Sequence, residues 1–135
     1  MAPFDVHLVD GTYELFRYHF AVPSHVTAEG VEVAAARGVL GSMLGLVADG
    51  ATHVGVATDQ VIESFRNDLF AGYKTGESTP SELFAQFPLV EAALEAAGFV
   101  VFGMVEHEAD DALGAAAVRA AADPRVGKVL VCTPD

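Results

Sequence analysis

The chain has 135 residues, a hydrophobic fraction of 52% and a formal net charge of −12 at pH 7. That length suffices for one domain with its own core, and the hydrophobic fraction excludes a disordered acidic tail. The unbroken apolar runs are far shorter than the roughly 20 residues of a membrane span, and the N-terminus does not have the pattern of a signal peptide. The single cysteine, Cys132, excludes an internal disulfide, so we expect a cytoplasmic protein with no membrane partner.

Strand and helix patterns alternate along the chain. The first part predicts a strand over Phe4–Val9, a helix near Thr12–Ala21, a loop over Ala21–Thr27, a helix over Val31–Asp49 and a strand over His53–Ala57. The second part predicts an irregular helix from Ile62 to Tyr73, a flexible segment over Lys74–Ser81, a helix from Ser81 to Ala97, a strand over Phe99–Phe102, a helix from Glu108 to Ala122 and a strand over Lys128–Cys132. This alternation predicts a three-layer α/β fold whose central, mostly parallel sheet is flanked by helices.

Four glycines and the single cysteine have expected structural roles. Gly98 is expected to cap the helix that precedes it. Gly38, Gly41 and Gly45 are expected to thin one face of their helix for close packing, although each lowers helix stability by about 1 kcal/mol relative to alanine. Cys132 lies in an apolar strand and is expected to be buried in the core.

Acidic residues follow the predicted strands. Asp10, Asp59 and Asp135 come after three of them, and the remaining strand leads into Glu108, Asp110 and Asp111. Because the carboxyl ends of parallel strands meet at one edge, we expect these acids to converge there. Close carboxylates repel one another unless cations bridge them, and hard oxygen ligands suit Mg²⁺ or Mn²⁺ better than zinc. Two such ions can serve phosphodiester hydrolysis.

Each acid also has a purely structural explanation. Glu108, Asp110 and Asp111 fall in the first turn of a predicted helix, where the helix dipole favours negative charge, and Asp10 precedes a glycine as in a turn. The five histidines show no zinc-like pairing and are interpreted as core or surface side chains. The sequence contains no phosphate-binding glycine loop and no nucleophile elbow. The net charge of −12 argues against a general nucleic-acid-binding module.

Six motifs occur in the order typical of one nuclease family. They are Val9-Asp10-Gly11, Thr58-Asp59, Ser64-Phe65-Arg66, Gly72-Tyr73-Lys74, Glu108-Ala109-Asp110-Asp111 and Cys132-Thr-Pro-Asp135. With them the chain resembles the structure-specific 5′ nucleases, which include the 5′–3′ exonuclease domains of bacterial DNA polymerase I, free-standing 5′–3′ exonucleases and flap endonucleases. The resemblance spans essentially the whole chain and implies a PIN-like fold with two divalent ions, Mg²⁺ or Mn²⁺.

The resemblance also implies roles for individual residues. Asp10, Asp59, Glu108 and Asp110 match acids that serve mainly the first metal, Asp111 matches an acid of the same cluster, and Asp135 matches an acid of the second site. Arg66, Tyr73 and Lys74 match DNA-binding residues near the scissile phosphate and at the base of a helical arch. Arg66 and Lys74 are expected to act in catalysis by stabilising negative charge, and Tyr73 is expected to stack on an unpaired base.

The family pattern continues beyond Asp135 with further acids of the second metal site and a helix–three-turn–helix that grips duplex DNA. The resemblance therefore implies that residues 1–135 form the PIN-like N-terminal domain of a 5′–3′ exonuclease or flap endonuclease, without that C-terminal part. We expect a DNA substrate with 5′ ends or flaps, roles in DNA repair and replication, and little or no cutting by residues 1–135 alone. A non-catalytic nucleic-acid-binding domain of the same fold and a PIN-type ribonuclease remain as alternatives.

Overall fold

The computed structural model describes residues 2–59, 80–104 and 108–133. Four strands and four helices lie in these ranges. They are β1 (Phe4–Asp10), α1 (Gly11–Ala21), α2 (Ala34–Ala48), β2 (His53–Asp59), α3 (Pro80–Ala96), β3 (Val100–Met104), α4 (Ala109–Ala121) and β4 (Val126–Cys132). None of the helices in the described ranges is both long enough and apolar enough to cross a membrane.

The four described strands form one sheet in the order β3-β2-β1-β4, and every neighbouring pair is parallel. Asp10 at the end of β1 lies opposite Ala57 of β2, and Asp59 at the end of β2 lies opposite Met104 of β3. The central strands β1 and β2 therefore end at the same edge of the sheet. We call this edge, with the helix starts that follow it, the carboxyl edge.

Apolar side chains cover both faces of the sheet. Successive residues of a strand point to opposite faces, so Val9 and Leu8 of β1 enter different clusters. The larger cluster joins the sheet to α1, α2 and α3, with Leu15, Val39, Phe87 and Leu94 among its buried members. The smaller cluster joins the opposite face to α4 through Ala109 and Leu113. The chain therefore has the three-layer α/β fold expected of a PIN-like domain.

The starts of helix α2 and strand β4 differ from the predicted ones, because of side-chain hydrogen bonds in one case and strand pairing in the other. Helix α2 begins at Ala34 rather than Val31, because the Glu32 carboxylate accepts hydrogen bonds from the backbone N–H groups of His25 and Ala34 and holds the preceding loop. Strand β4 begins at Val126 rather than Lys128, since its first residue already pairs with Phe4 of β1. Helix α3 ends at Ala96, and Gly98 follows with a φ of 98°, as expected of a capping glycine.

Cys132 is exposed, so the prediction that it is buried was wrong. It lies opposite Val9, on the face of the sheet that α1, α2 and α3 cover. Strand β4 is at the edge of the described sheet, and the cluster beneath those three helices contains no described side chain of β4. The apolar pattern of the strand predicted its secondary structure correctly, but it did not reveal that the strand lies at an edge.

The three glycines of α2 differ in their surroundings. A β-carbon at Gly38 would lie 2.7 Å from Cγ of Tyr18, at the base of an aromatic ring rather than at the far end of a flexible side chain. Gly38 therefore allows α1 and α2 to approach closely, as predicted. At Gly41 and Gly45 a β-carbon would meet no atom within 4 Å, so the same prediction was wrong for these two positions.

Alanine substitutions in α2 should have opposite effects on stability. Gly41→Ala should raise the free energy of unfolding by about 0.5–1 kcal/mol, because alanine favours the helix and meets open space. Gly38→Ala should lower it by about 1–3 kcal/mol, because the new methyl group must displace Tyr18. Urea denaturation of both variants checks this, and equal changes in the two would contradict the packing difference.

Candidate metal-binding and active site

Asp10 lies where β1 passes into α1. It is the N-cap residue of α1, and its Oδ1 accepts a hydrogen bond from the backbone N–H of Tyr13 at 2.9 Å. Its Oδ2 accepts a hydrogen bond from Oγ1 of Thr133, just beyond β4, at 3.1 Å. Only 6% of the residue is exposed, so this carboxylate is buried and fixed by two neighbouring elements.

Gly11 brings the start of α1 against β2. A β-carbon at this position would lie 2.7 Å from Cγ1 of Val56, 2.9 Å from Cγ2 of Thr58 and 3.0 Å from the carbonyl oxygen of Ala57. Two of these neighbours are branched side chains of a buried strand and one is backbone, so none can move easily. The absence of a side chain at Gly11 therefore sets the distance between the helix carrying Asp10 and the strand carrying Asp59.

Asp59 ends β2 and joins three elements. Its Oδ2 accepts a hydrogen bond from Oγ1 of Thr12 in α1 at 2.7 Å, and its own backbone N–H donates to the same Oγ1 at 3.0 Å. Its Oδ1 accepts from the backbone N–H of Ala109, the first residue of α4, at 2.9 Å. Asp59 is therefore held between the first turns of two helices on opposite faces of the sheet.

The acids at the start of α4 differ in what they contact. Oδ2 of Asp111 accepts a hydrogen bond from the backbone N–H of Glu108 at 2.9 Å, so Asp111 caps the helix. Glu108 and Asp110 are exposed. Asp110 is close enough to Asp10 for its charge to raise the pKa of that carboxyl group. The structure thus places Asp110 near enough to Asp10 to influence it electrostatically, whereas Asp111 has a capping role at the start of α4.

Burial and neighbouring charge both act on Asp10. Burial is the largest influence and raises the pKa of Asp10 above its ordinary value, because the ionised carboxylate loses hydration. Hydrogen bonds from Tyr13 and Thr133 lower it, and the negative charges of Asp110 and Asp59 raise it further. Within the described ranges the charges that shift this pKa are both carboxylates, so the carboxyl edge concentrates negative charge around a buried acid.

The donor chemistry of this edge fits a hard divalent cation, since carboxylate oxygens are the ligands that Mg²⁺ and Mn²⁺ prefer. The arrangement is incomplete, however. Across residues 2–59, 80–104 and 108–133, no three His, Cys, Asp or Glu side chains are grouped so that they could hold a metal ion. Asp10 and Asp59 therefore lie at the ends of neighbouring strands and Asp110 lies in the first turn of α4, but in the described ranges these three carboxylates do not form a ligand set.

The remaining predicted site residues lie outside the described residues. These are Arg66, Tyr73, Lys74 and Asp135, together with the segment predicted to be flexible, of which only residues 80 and 81 are described. Their roles remain predictions, as do the metal-binding roles of Asp10, Asp59, Glu108, Asp110 and Asp111.

Sequence reasoning missed the hydroxyl groups that hold the acids. Thr12 contacts Asp59, and Thr133 contacts Asp10. Thr58, which is fully buried, donates a short hydrogen bond to Glu91 of α3. A signal was present, because all three threonines lie within two residues of a strand end. Their partners lie 33 to 123 residues away in the chain, and spacing alone could not identify them.

Comparison with known proteins matches this chain to DNA-processing enzymes. A DNA polymerase I of Geobacillus stearothermophilus is 34% identical over 125 residues, which are 91% of this chain and 14% of that protein. A 5′–3′ exonuclease of Bacillus subtilis is 36% identical over 113 residues, 79% of this chain and 38% of that protein. The thermostable DNA polymerase I of Thermus thermophilus is 32% identical over 132 residues, 96% of this chain and 16% of that protein. The chain thus spans less than two fifths of each of these relatives.

The family model described as the N-terminal, resolvase-like domain of 5′–3′ exonucleases matches residues 5–135. The match covers all eight described elements except the first residue of β1. The family predicted from the six motifs is thereby confirmed, and this chain belongs to the 5′–3′ exonuclease N-terminal domain family.

Proposed function

We propose that this chain is the metal-binding part of a 5′–3′ exonuclease or flap endonuclease that hydrolyses DNA phosphodiester bonds with two divalent ions. One observation carries the proposal: in a member of this family, Asp10 and Asp59 end neighbouring parallel strands at the carboxyl edge, and the helix that begins there and carries Asp110 donates its first backbone N–H to Asp59. Ligand sites of open α/β sheets lie at this edge. The named relatives are a 5′–3′ exonuclease and DNA polymerases, which supports DNA as the substrate and replication or repair as the setting.

Bound Mg²⁺ or Mn²⁺ would neutralise the acidic cluster, activate a water molecule and stabilise the leaving oxygen. Asp10 and Asp59 would hold the first ion, because the hydrogen bonds from Tyr13, Thr133, Thr12 and Ala109 fix both carboxylates in advance. Such pre-organisation limits the loss of side-chain freedom on binding. Asp110 would join them from the exposed start of α4, with Glu108 and Asp111 beside it. Asp135 would contribute to the second ion.

The proposed contacts with DNA involve the segment between β2 and α3. Arg66 and Lys74 would approach the scissile phosphate and stabilise its developing negative charge, and Tyr73 would stack on an unpaired base. The positive charges of Arg66 and Lys74 matter in a chain whose net charge is −12, because a negative net charge disfavours the approach of DNA. A cytoplasmic location also belongs to this proposal.

The alternative of a non-catalytic domain has one observation in its favour, which is the incomplete ligand set within the described ranges. The two hypotheses differ in whether the chain binds metal ions. A nuclease domain needs the acids of the carboxyl edge as ligands, whereas a non-catalytic domain needs them only as caps and hydrogen-bond acceptors. A PIN-type ribonuclease would share the acids and differ in substrate, so cutting of RNA in place of DNA would identify it.

Asp59→Asn should weaken Mn²⁺ binding to the chain by at least about tenfold, because it removes a charged oxygen ligand while keeping the shape of the side chain. Calorimetric titration measures the affinity. Asp123→Asn is the matched control: it removes the same charge from the turn between α4 and β4, where Asp123 pairs with Arg125 at 2.7 Å. Equal binding by wild type and Asp59→Asn, or tight zinc binding, would contradict the proposed oxygen site.

Asp10→Asn should raise the melting temperature of the metal-free protein at neutral pH by a few degrees. Burial raises the pKa of Asp10 from its ordinary value of 3.8, so the folded state binds this proton more tightly than the unfolded chain. Wild-type stability therefore falls as pH rises from 3.8 through the raised folded pKa, whereas uncharged asparagine is unaffected.

Melting curves of wild type and Asp10→Asn at a series of pH values from about 3 to 8 test this dependence. The difference between them should grow with pH. Asp123→Asn is again the control, because Arg125 lowers the pKa of Asp123 to about 2 and its loss should not stabilise the protein at any of these pH values. A pH-independent difference for Asp10→Asn would show that the buried charge is not the cause.

If the gene continues beyond Asp135, the longer protein should cut 5′-flapped DNA in the presence of Mn²⁺, while residues 1–135 should cut little or not at all. In the longer protein, Asp110→Ala and Lys74→Ala should both reduce the rate, the first by removing a proposed metal ligand and the second a cation near the phosphate. Labelled flap DNA incubated with each protein provides the measurement. No cutting by the longer protein would favour the non-catalytic alternative.

A further inference from the structure

Thr12 makes an unusual pair of hydrogen bonds with Asp59. Its hydroxyl group donates to the carboxylate Oδ2 at 2.7 Å and accepts from the backbone N–H of the same aspartate at 3.0 Å. The two residues are 47 positions apart in the chain and lie in different elements, α1 and β2. One hydroxyl group thus fixes both the main chain and the side chain of Asp59.

The helix start does not require this hydroxyl group. Asp10 already serves as the N-cap of α1 and accepts from the N–H of Tyr13. Thr12 is the second residue of the helix, where a threonine side chain has no capping task to perform. Its polar contacts in the described part of the chain are those with Asp59, so the geometry indicates a role directed at that carboxylate.

Asp59 is held at its other oxygen as well. The backbone N–H of Ala109, at the start of α4, donates to Oδ1 at 2.9 Å. A carboxylate bound at both oxygens by donors from two different helices cannot rotate about its terminal bond without breaking one of these bonds. Loss of the Thr12 hydroxyl group would remove its hydrogen bond to Oδ2, while the bond from Ala109 to Oδ1 would remain.

We propose that Thr12 is a positioning residue that orients the Asp59 carboxylate for a divalent cation, an inference that rests on the proposed metal site. Hydrogen bonds to ligating carboxylates fix their orientation, and removal of such a partner typically lowers metal affinity by about 10–100-fold. Thr12 acts through Asp59 and needs no contact with the ion or with DNA.

The test compares three variants with wild type in Mn²⁺ titrations followed by calorimetry. Thr12→Val keeps the size and branching of the side chain but removes the hydroxyl group, and should weaken Mn²⁺ binding by about 10–100-fold. Thr12→Ser restores the hydroxyl group and should bind Mn²⁺ nearly as wild type does. Thr27→Val is the matched control, because Thr27 accepts a hydrogen bond from Val31 in an exposed loop remote from Asp59. Its Mn²⁺ affinity should equal that of wild type.

A second measurement needs no metal. Hydrogen exchange of the metal-free protein should show faster exchange of the Asp59 and Ala109 amides in Thr12→Val than in Thr12→Ser, because the first amide loses its acceptor and the second binds a carboxylate that has lost its hydrogen bond to Thr12. Should Thr12→Val not fold, Thr12→Ala offers the same loss of the hydroxyl group with a smaller side chain, and Thr12→Ser must still match wild type.

The outcomes separate the two proposals. If wild type binds Mn²⁺ and Thr12→Val or Thr12→Ala binds it equally well, the positioning role of Thr12 is overturned and the metal site stands. If wild type itself fails to bind Mn²⁺, the proposed function falls and this inference falls with it. A lower melting temperature of Thr12→Val with unchanged Mn²⁺ affinity would show a merely structural role and would also overturn the inference.

Discussion

The first turn of α1 lies directly against β2, and the arrangement of the carboxyl edge depends on that close approach. Gly11 makes this close approach possible, since a β-carbon at this position would lie only 2.7 Å from Cγ1 of Val56. The approach brings Thr12 within hydrogen-bonding distance of Asp59 while Asp10 caps the same helix turn. Both central acids are thus positioned by one helix start. A displacement of this turn would separate them together with the side chains that hold them.

Sequence patterns predicted the layers of this fold and the edge at which its acids meet. Strand order along the chain, combined with the rule that parallel strands end on one side, was enough to place Asp10 and Asp59 together. The family motifs then predicted membership correctly. These features could be predicted from the sequence because they depend on local sequence patterns or on a general rule of topology. None of them requires knowledge of a particular contact between distant residues.

Other features depend on contacts between distant segments and were therefore inaccessible from sequence. Gly38 and Gly41 are three residues apart on one helix, yet only Gly38 faces the ring of Tyr18. Cys132 lies in an apolar strand like its neighbours, and its exposure follows from the position of β4 at an edge of the described sheet. Asp111 illustrates the same limit, because an acid in a first helical turn suits a cap and a metal ligand equally well.

Strand β4 lies at an edge of the described sheet, and such a strand can affect how molecules behave at high concentration. An edge strand presents backbone N–H and C=O groups that can pair with a strand of another molecule. Leu130 and Val131 are 37% and 44% exposed on β4, so apolar surface accompanies this backbone. Lys128 adds an exposed charge on the same strand, of the kind that discourages such pairing. Lys128 therefore opposes edge-to-edge pairing locally, in addition to the repulsion between molecules that each carry a net charge of −12.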